Sequence, residues 1–183
     1  MLEWVIYFLA YLSAGFTLKL GDDLLDELDR PHLAWYPFAL SGFLFGYLMT
    51  LSEWDLVLLT SILIAVTASG KVNRLQFIVG FIVIFATIVI MGGVPMSTDW
   101  LGWFTLLIIL FLAAVLDEKG NDWSDKDRSP RAYWIFKYRF TLKLVALGLV
   151  IPWPMFLATA VGLWFFDIGY EFSGGLARSR FSS

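Results

Sequence analysis

LQFIVGFIVIFATIVIMGG, Leu75 to Gly93, runs for nineteen residues without an ionisable side chain or a proline. As an α-helix rising about 1.5 Å per residue it would be ~28 Å long, close to the ~30 Å of a bilayer's hydrocarbon core. Leu56 to Gly70 and Leu101 to Leu116 are likewise uncharged. These are membrane spans rather than buried helices of a soluble protein, because the whole chain shares their character. It is 59% hydrophobic and 18% aromatic, with a mean hydropathy of +0.74. A water-soluble fold would have too few polar side chains to cover its surface.

Working outward along the chain, the hydropathy pattern predicts about six spans. They are Leu2 to Leu18, Leu33 to Ser52, Trp54 to Gly70, Leu75 to Gly93, Trp100 to Leu116, and a last one between Leu142 and Ile168. The expectation is an all-α polytopic transmembrane bundle forming a single domain over residues 1–183, since the longest polar stretch runs only from Asp117 to Arg131. The acidic opening Met1-Leu-Glu-Trp-Val, with no small-residue cleavage pattern behind it, reads as a retained first helix. Trp4, Trp35, Trp54, Trp100, Trp103 and Trp134 fall near span ends, where an indole buries its ring and keeps its N–H wet. Pro152-Trp-Pro154 interrupts the last run, leaving either one kinked span or a re-entrant pair. Gly42-Phe-Leu-Phe-Gly46 would let another helix approach closely, more readily within the chain than across a homo-oligomer.

Basic residues resist export across a membrane, so loop charge sets orientation. Lys19 and Arg30, then Lys71 and Arg74, then the run from Lys119 to Lys143 fall in alternate connections, and the connections holding Glu53, Asp55 and Asp99 have no basic residue. The acidic first and fifth connections are therefore expected in the cytoplasm, with Arg178 and Arg180 unplaced. Zero cysteines and a lone His32 exclude thiolate zinc sites, cysteine nucleophiles and His-pair metal sites. No basic stripe with interleaved aromatics points to nucleic acid. No GxSxG is present, Gly169 to Gly175 lacks the lysine of a P-loop and reads as a flexible tail, and the spans are nearly free of the ionisable groups an intramembrane aspartyl protease needs.

What remains is oxygen chemistry. Asp22, Asp23, Asp26, Glu27 and Asp29 crowd the first connection, against a preference for basic residues beside anionic lipid. Mg2+ relieves such repulsion, taking one or two carboxylates and completing its shell with water and phosphate oxygens. If the first helix continues to Asp29, then Asp22, Asp26 and Asp29 share a face, with Asp23 beside it. A second cluster holds Asp117, Glu118, Asn121, Asp122, Asp125 and Asp127, interleaved with Lys119, Lys126, Arg128 and Arg131. Acids that hold metal beside bases that hold phosphate suit a phosphoryl-bearing substrate. An acidic cluster, a proline and an aromatic-led span also recur in that order in both regions, a faint internal echo.

Asp22-Asp-Leu-Leu-Asp26 is a DDxxD and Asn121-Asp-Trp-Ser-Asp125 an NDxxD. Their setting resembles the UbiA superfamily of intramembrane prenyltransferases, over roughly Phe16 to Arg131. The resemblance implies transfer of a prenyl chain from a polyisoprenyl diphosphate to a lipophilic acceptor. Asp22, Asp23, Asp26, Asp122 and Asp125 would then be catalytic, and together with Asp29 and Asn121 would hold Mg2+. Lys71, Arg74, Lys126, Arg128 and Arg131 would bind diphosphate. Arg30 stands where the family's first motif has a further Asp, and Ser129 where the second has one. The competing reading is a non-catalytic transporter, channel or complex subunit whose acidic mouth gathers cations. Loop position alone accounts for many of the basic residues.

Overall fold

The computed structural model describes residues 1–70, 72, 74–127 and 140–181, with the backbone alone described at 121, 122, 124–127 and 177–181. Among the described residues all regular structure is helical. The α-helices are α1 (Leu2–Asp26), α2 (Pro31–Met49), α3 (Glu53–Ala68), α4 (Leu75–Ile90), α5 (Trp100–Asp127), α6 (Phe140–Leu149) and α7 (Leu157–Phe181), with a 3-10 turn at Pro154–Phe156 before α7. Three stretches are long and apolar enough to cross a membrane: Leu2–Asp26, Trp100–Gly120 and Pro154–Leu176. The chain thus reads as a helical membrane protein, but fewer of its helices reach span length than the six hydrophobic runs predicted.

The helix ends follow local chemistry. Pro31 opens α2, where its missing N–H is no loss. Gly70 closes the segment after α3, and Gly92 and Gly93 stop α4, all at positive φ that a glycine adopts without strain. Pro152 and Pro154 do not kink one helix; they separate α6 from α7. The Gly169 to Gly175 stretch is not a flexible tail either, because α7 continues as helix to Phe181. In the bilayer the alternative to intrahelical bonds is an unsatisfied backbone, which outweighs the helix cost of these glycines.

The chain divides into two compact units. The first contains Met1–Ser52, Arg74–Val94 and Val161–Ser183, that is α1, α2, α4 and most of α7. Its packing rests on glycines. A Cβ on Gly42 would lie 2.5 Å from the Gly80 carbonyl oxygen, and one on Gly46 would lie 2.7 Å from Thr87 Cβ, so the GxxxG of α2 is the seat of α4. With Gln76 Nε2 donating to the Pro31 carbonyl at one end, these contacts make α2 and α4 parallel. Gly21 beneath Phe38 and the Ser41 hydroxyl donating to the Ala14 carbonyl make α1 and α2 antiparallel. Between α1 and α7, Tyr11 fills the space over Gly162, Gly15 touches the Phe166 backbone and Gly169 the Leu12 backbone. Phe8 stacks on Phe165 and Phe16 meets Phe172, so α1 and α7 run parallel. The end of α1, the starts of α2 and α4, and the end of α7 therefore lie at one end of this unit.

The second unit holds Glu53–Asn73 and Pro95–Ala160. Here α5 packs on both α3 and α6. Large apolar side chains such as Ile82, Phe85 and Val89 of α4 and Leu101, Ile108 and Leu112 of α5 stay exposed, while Asp23, Asp55, Asp117, Lys143 and Asp167 are buried. Apolar outside and polar inside is the pattern of a helix bundle solvated by lipid.

Candidate functional site

The first acidic motif is built on the last turns of α1. The helix ends at Asp26, and Asp29 adopts a left-handed φ of 46° as the Arg30 N–H turns back to the Leu24 carbonyl at 2.8 Å. Aspartate tolerates that conformation better than most residues. Asp22 and Asp26 therefore share a helical face, but Asp29 leaves it, contrary to the i, i+4, i+7 stripe predicted for a longer helix. Asp26, Glu27 and Asp29 are exposed, whereas Asp22 is half-buried.

Asp23 turns inward. It is 1% exposed and pairs with Lys19, one helical turn earlier, at 2.7 Å between Nζ and Oδ1. The lysine ammonium also lies 5.4 Å from the Tyr170 ring centroid, and the Tyr170 hydroxyl donates to Asp22 Oδ2 at 3.4 Å. A cation over an aromatic face is attracted by the ring quadrupole. Apart from the ammonium, neither oxygen of Asp23 meets a hydrogen-bond donor among the described residues. A carboxylate offers about four lone-pair positions, so this one is under-satisfied for its burial. Arg74, the N-cap residue of α4, is exposed at the same end of the unit.

The second motif is not in a loop. α5 runs as helix through Asp127, so Asn121, Asp122 and Asp125 continue a span-length helix, and Asp122 and Asp125 keep their i, i+3 relation. The side chains of Asn121, Asp122, Asp125 and Lys126 lie outside the described residues, as do Lys71, Arg128 and Arg131. Asp117, the first acid of this cluster, is buried and committed elsewhere: it accepts from the N–H groups of Thr141 at 3.2 Å and Leu142 at 2.7 Å. It thereby neutralises free donors at the start of α6. Among the described residues, no three His, Asp or Glu side chains are grouped as a metal would require.

Three buried carboxylates were not visible as such in the sequence. Asp55 stood with the loop acids, but it is buried in the first turn of α3 and accepts from the Thr159 hydroxyl at 2.9 Å. Asp167 is buried within α7, and Asp23 within α1, so these spans are less free of ionisable groups than their hydropathy suggests. The one available signal was an acid placed inside an apolar run, as Asp167 is after Trp164-Phe-Phe166.

Comparison with protein-family models, with curated proteins and with solved structures finds no match.

Proposed function

We propose that the chain is a Mg2+-dependent intramembrane transferase that uses a polyisoprenyl diphosphate and a lipophilic acceptor at the cytoplasmic face. The observation that carries this reading is that each motif stands at a similar distance along its own span-length helix. Asp22 stands twenty residues into α1 and Asn121 twenty-one residues into α5, each about 30 Å from its helix start and so at one edge of the hydrocarbon core.

The alternation of basic and base-free connections along the sequence supports placing both motifs on one face. Arg178 and Arg180, near the end of α7, fall at the end of the first unit that carries the first motif, in keeping with cytoplasmic basic residues.

Chemically, the allylic carbon loses its bond to diphosphate oxygen, which leaves with the electron pair. The acceptor then bonds to that carbon and gives up a proton. Bound Mg2+ would neutralise the departing charge. The chain's part is to present Asp22, Asp26, Asp122 and Asp125 to that ion, with Arg74 and the basic residues after α5 as counter-charges for phosphate. Membrane lipid is the surrounding partner, and the apolar α-helix surfaces give the prenyl chain access from the bilayer.

The exposure of Asp26, Glu27 and Asp29 favours a second reading, an acidic mouth that gathers cations without chemistry. Melting of the purified protein separates the two. A ligand that binds only the folded state stabilises it by about 2.7 kcal/mol at a hundredfold excess over Kd. Millimolar Mg2+ should raise the Tm, and a polyisoprenyl diphosphate should raise it again. Asp26→Ala or Asp122→Ala should abolish the second increment. A wild type that responds to Mg2+ and Ca2+ alike and never to the diphosphate is the acidic mouth, not the transferase.

A further inference from the structure

The echo between the two acidic regions has a fixed spacing. Gly21-Asp-Asp-Leu-Leu-Asp26 recurs ninety-nine residues later as Gly120-Asn-Asp-Trp-Ser-Asp125, and Pro31 recurs as Pro130 at the same interval. So do all three tryptophans that precede Asp99: Trp4, Trp35 and Trp54 are matched by Trp103, Trp134 and Trp153. The structure keeps this register. α1 and α5 bury the same positions, Tyr11 with Leu110, Ala14 with Ala113 and Gly15 with Ala114, and expose the same positions, Leu2 with Leu101 and Leu9 with Ile108. Helix contacts repeat as well. Taking α1 to α5, α2 to α6, and α3 and α7 to each other turns the α1–α2 contact into α5–α6, and the α1–α7 contact into α5–α3. Both products occur, since α5 packs on α6 and on α3. Each compact unit accordingly holds the first two helices of one repeat and the third of the other: α1 and α2 with most of α7, and α5 and α6 with α3.

We propose that the chain is two copies of a three-helix repeat, α1–α3 and α5–α7, joined through α4, and that the repeats have exchanged their third helices. The interaction surface this assigns is the small-residue face of each first helix, Ala14 and Gly15 on α1 and Ala113 and Ala114 on α5. Its partner is the third helix of the other repeat, which small residues let approach closely. The α7 backbone sits against Gly15, and the α3 backbone is the counterpart that sits against Ala114. The two acidic motifs are then one motif present twice, each near the end of the first helix of its repeat. None of this depends on the transferase reading. Both seams join a helix before the turn at Gly93 to a helix after it, so they hold the two halves of the chain together without the covalent link.

The test cuts the folded full chain in detergent, at a protease site inserted between Gly93 and Val94, in a turn where a Cβ on Gly92 or Gly93 would meet nothing within 4 Å. The halves should still elute together from a size-exclusion column. In the cut protein, Gly15→Leu and Ala114→Leu should each lower the Tm by about 4 °C or more, and by amounts less than about twofold apart. Gly148→Leu, where an added Cβ also meets nothing within 4 Å, should not lower it. Cysteines at Ala65 and Ala114 should join the halves through a short thiol cross-linker, because Ala65 is the buried α3 residue nearest Thr67, the counterpart of Phe166. Should the leucine variants not fold, Gly15→Ala and Ala114→Val make the same comparison with smaller side chains. Halves that separate on cleavage would overturn the exchange. Sensitivity at only one of Gly15 and Ala114, or no cross-link to α3, would leave two unrelated seams and overturn the duplication.

Discussion

Replacing Gly15 or Gly169 by alanine perturbs the α1–α7 crossing, and the structure sets both sign and size. In a helix interior, Gly→Ala ordinarily gains about 1 kcal/mol of helix propensity. At Gly175 of α7 a Cβ would meet nothing within 4 Å, so that gain should appear undiminished. At Gly15 and Gly169 the added carbon falls on the backbone carbonyls of Phe166 and Leu12 respectively. Backbone in a packed helix cannot swing aside as a side-chain tip can, so the helices must part. Overpacking of this kind costs about 1–3 kcal/mol. A gap of even 0.5–1 Å also forfeits a quarter to a half of each dispersion contact along the seam. Gly15→Ala and Gly169→Ala should therefore lower stability by roughly 1–3 kcal/mol net, while Gly175→Ala raises it by up to ~1 kcal/mol. For a chain of this size that is a Tm change of about 2–4 °C per kcal/mol. Because each substitution relieves the strain of the other by parting the same helices, the double variant should lose less than the sum of the singles. Melting curves in one detergent, with Gly175→Ala as the internal control, give the comparison. If Gly15→Ala is as benign as Gly175→Ala, α1 and α7 do not cross at these glycines, and their parallel arrangement falls.

Topology can be read separately, since the chain has no native cysteine. A cysteine at Ser97 should react with an impermeant thiol reagent added outside, whereas cysteines at Ser124 and Ser179 should both be protected; labelling of Ser179 but not Ser124 would put Arg178 and Arg180 on the face opposite the second motif, and the reverse pattern at all three would invert the orientation. Asp117→Ala leaves the Thr141 and Leu142 N–H groups without their carboxylate and should cost about 0.5–2 kcal/mol, as loss of a helix cap does. Asp117→Asn, which keeps an acceptor, should recover part of that in the same melt; equal loss from both would mean the charge rather than the hydrogen bonds matters.

How much of this was legible in advance depends on whether a residue's fate is local or distant. The uncharged runs dictated helices in lipid, because a spanning segment must satisfy its own backbone and a helix does so within a few residues. Gly42 and Gly46 announced a close packing seat for the same reason, and α4 took it. The two motifs were legible as motifs, and each ends a span-length helix. The division of the last run was only half legible: Pro152 and Pro154 marked a break, but a proline pair alone fits a kink as well as a turn.

The rest was settled by neighbours far along the chain. Tyr170 stands 148 residues from the Asp22 it touches, and Thr159 stands 104 from Asp55. No spacing rule within α1 distinguishes an Asp23 that faces solvent from one that faces Lys19 and the interior. Nor does the glycine-rich stretch after Ile168 reveal that Gly169 serves to admit the Leu12 backbone rather than to loosen a tail. The sequence by itself determined the solvent, the secondary structure and the chemical types gathered at each span end, because transfer free energy and backbone hydrogen bonding act over a few residues. Only the tertiary structure decided which carboxylates are withdrawn into pairs and which stay at the surface, because burial and charge pairing depend on the helix that happens to lie alongside.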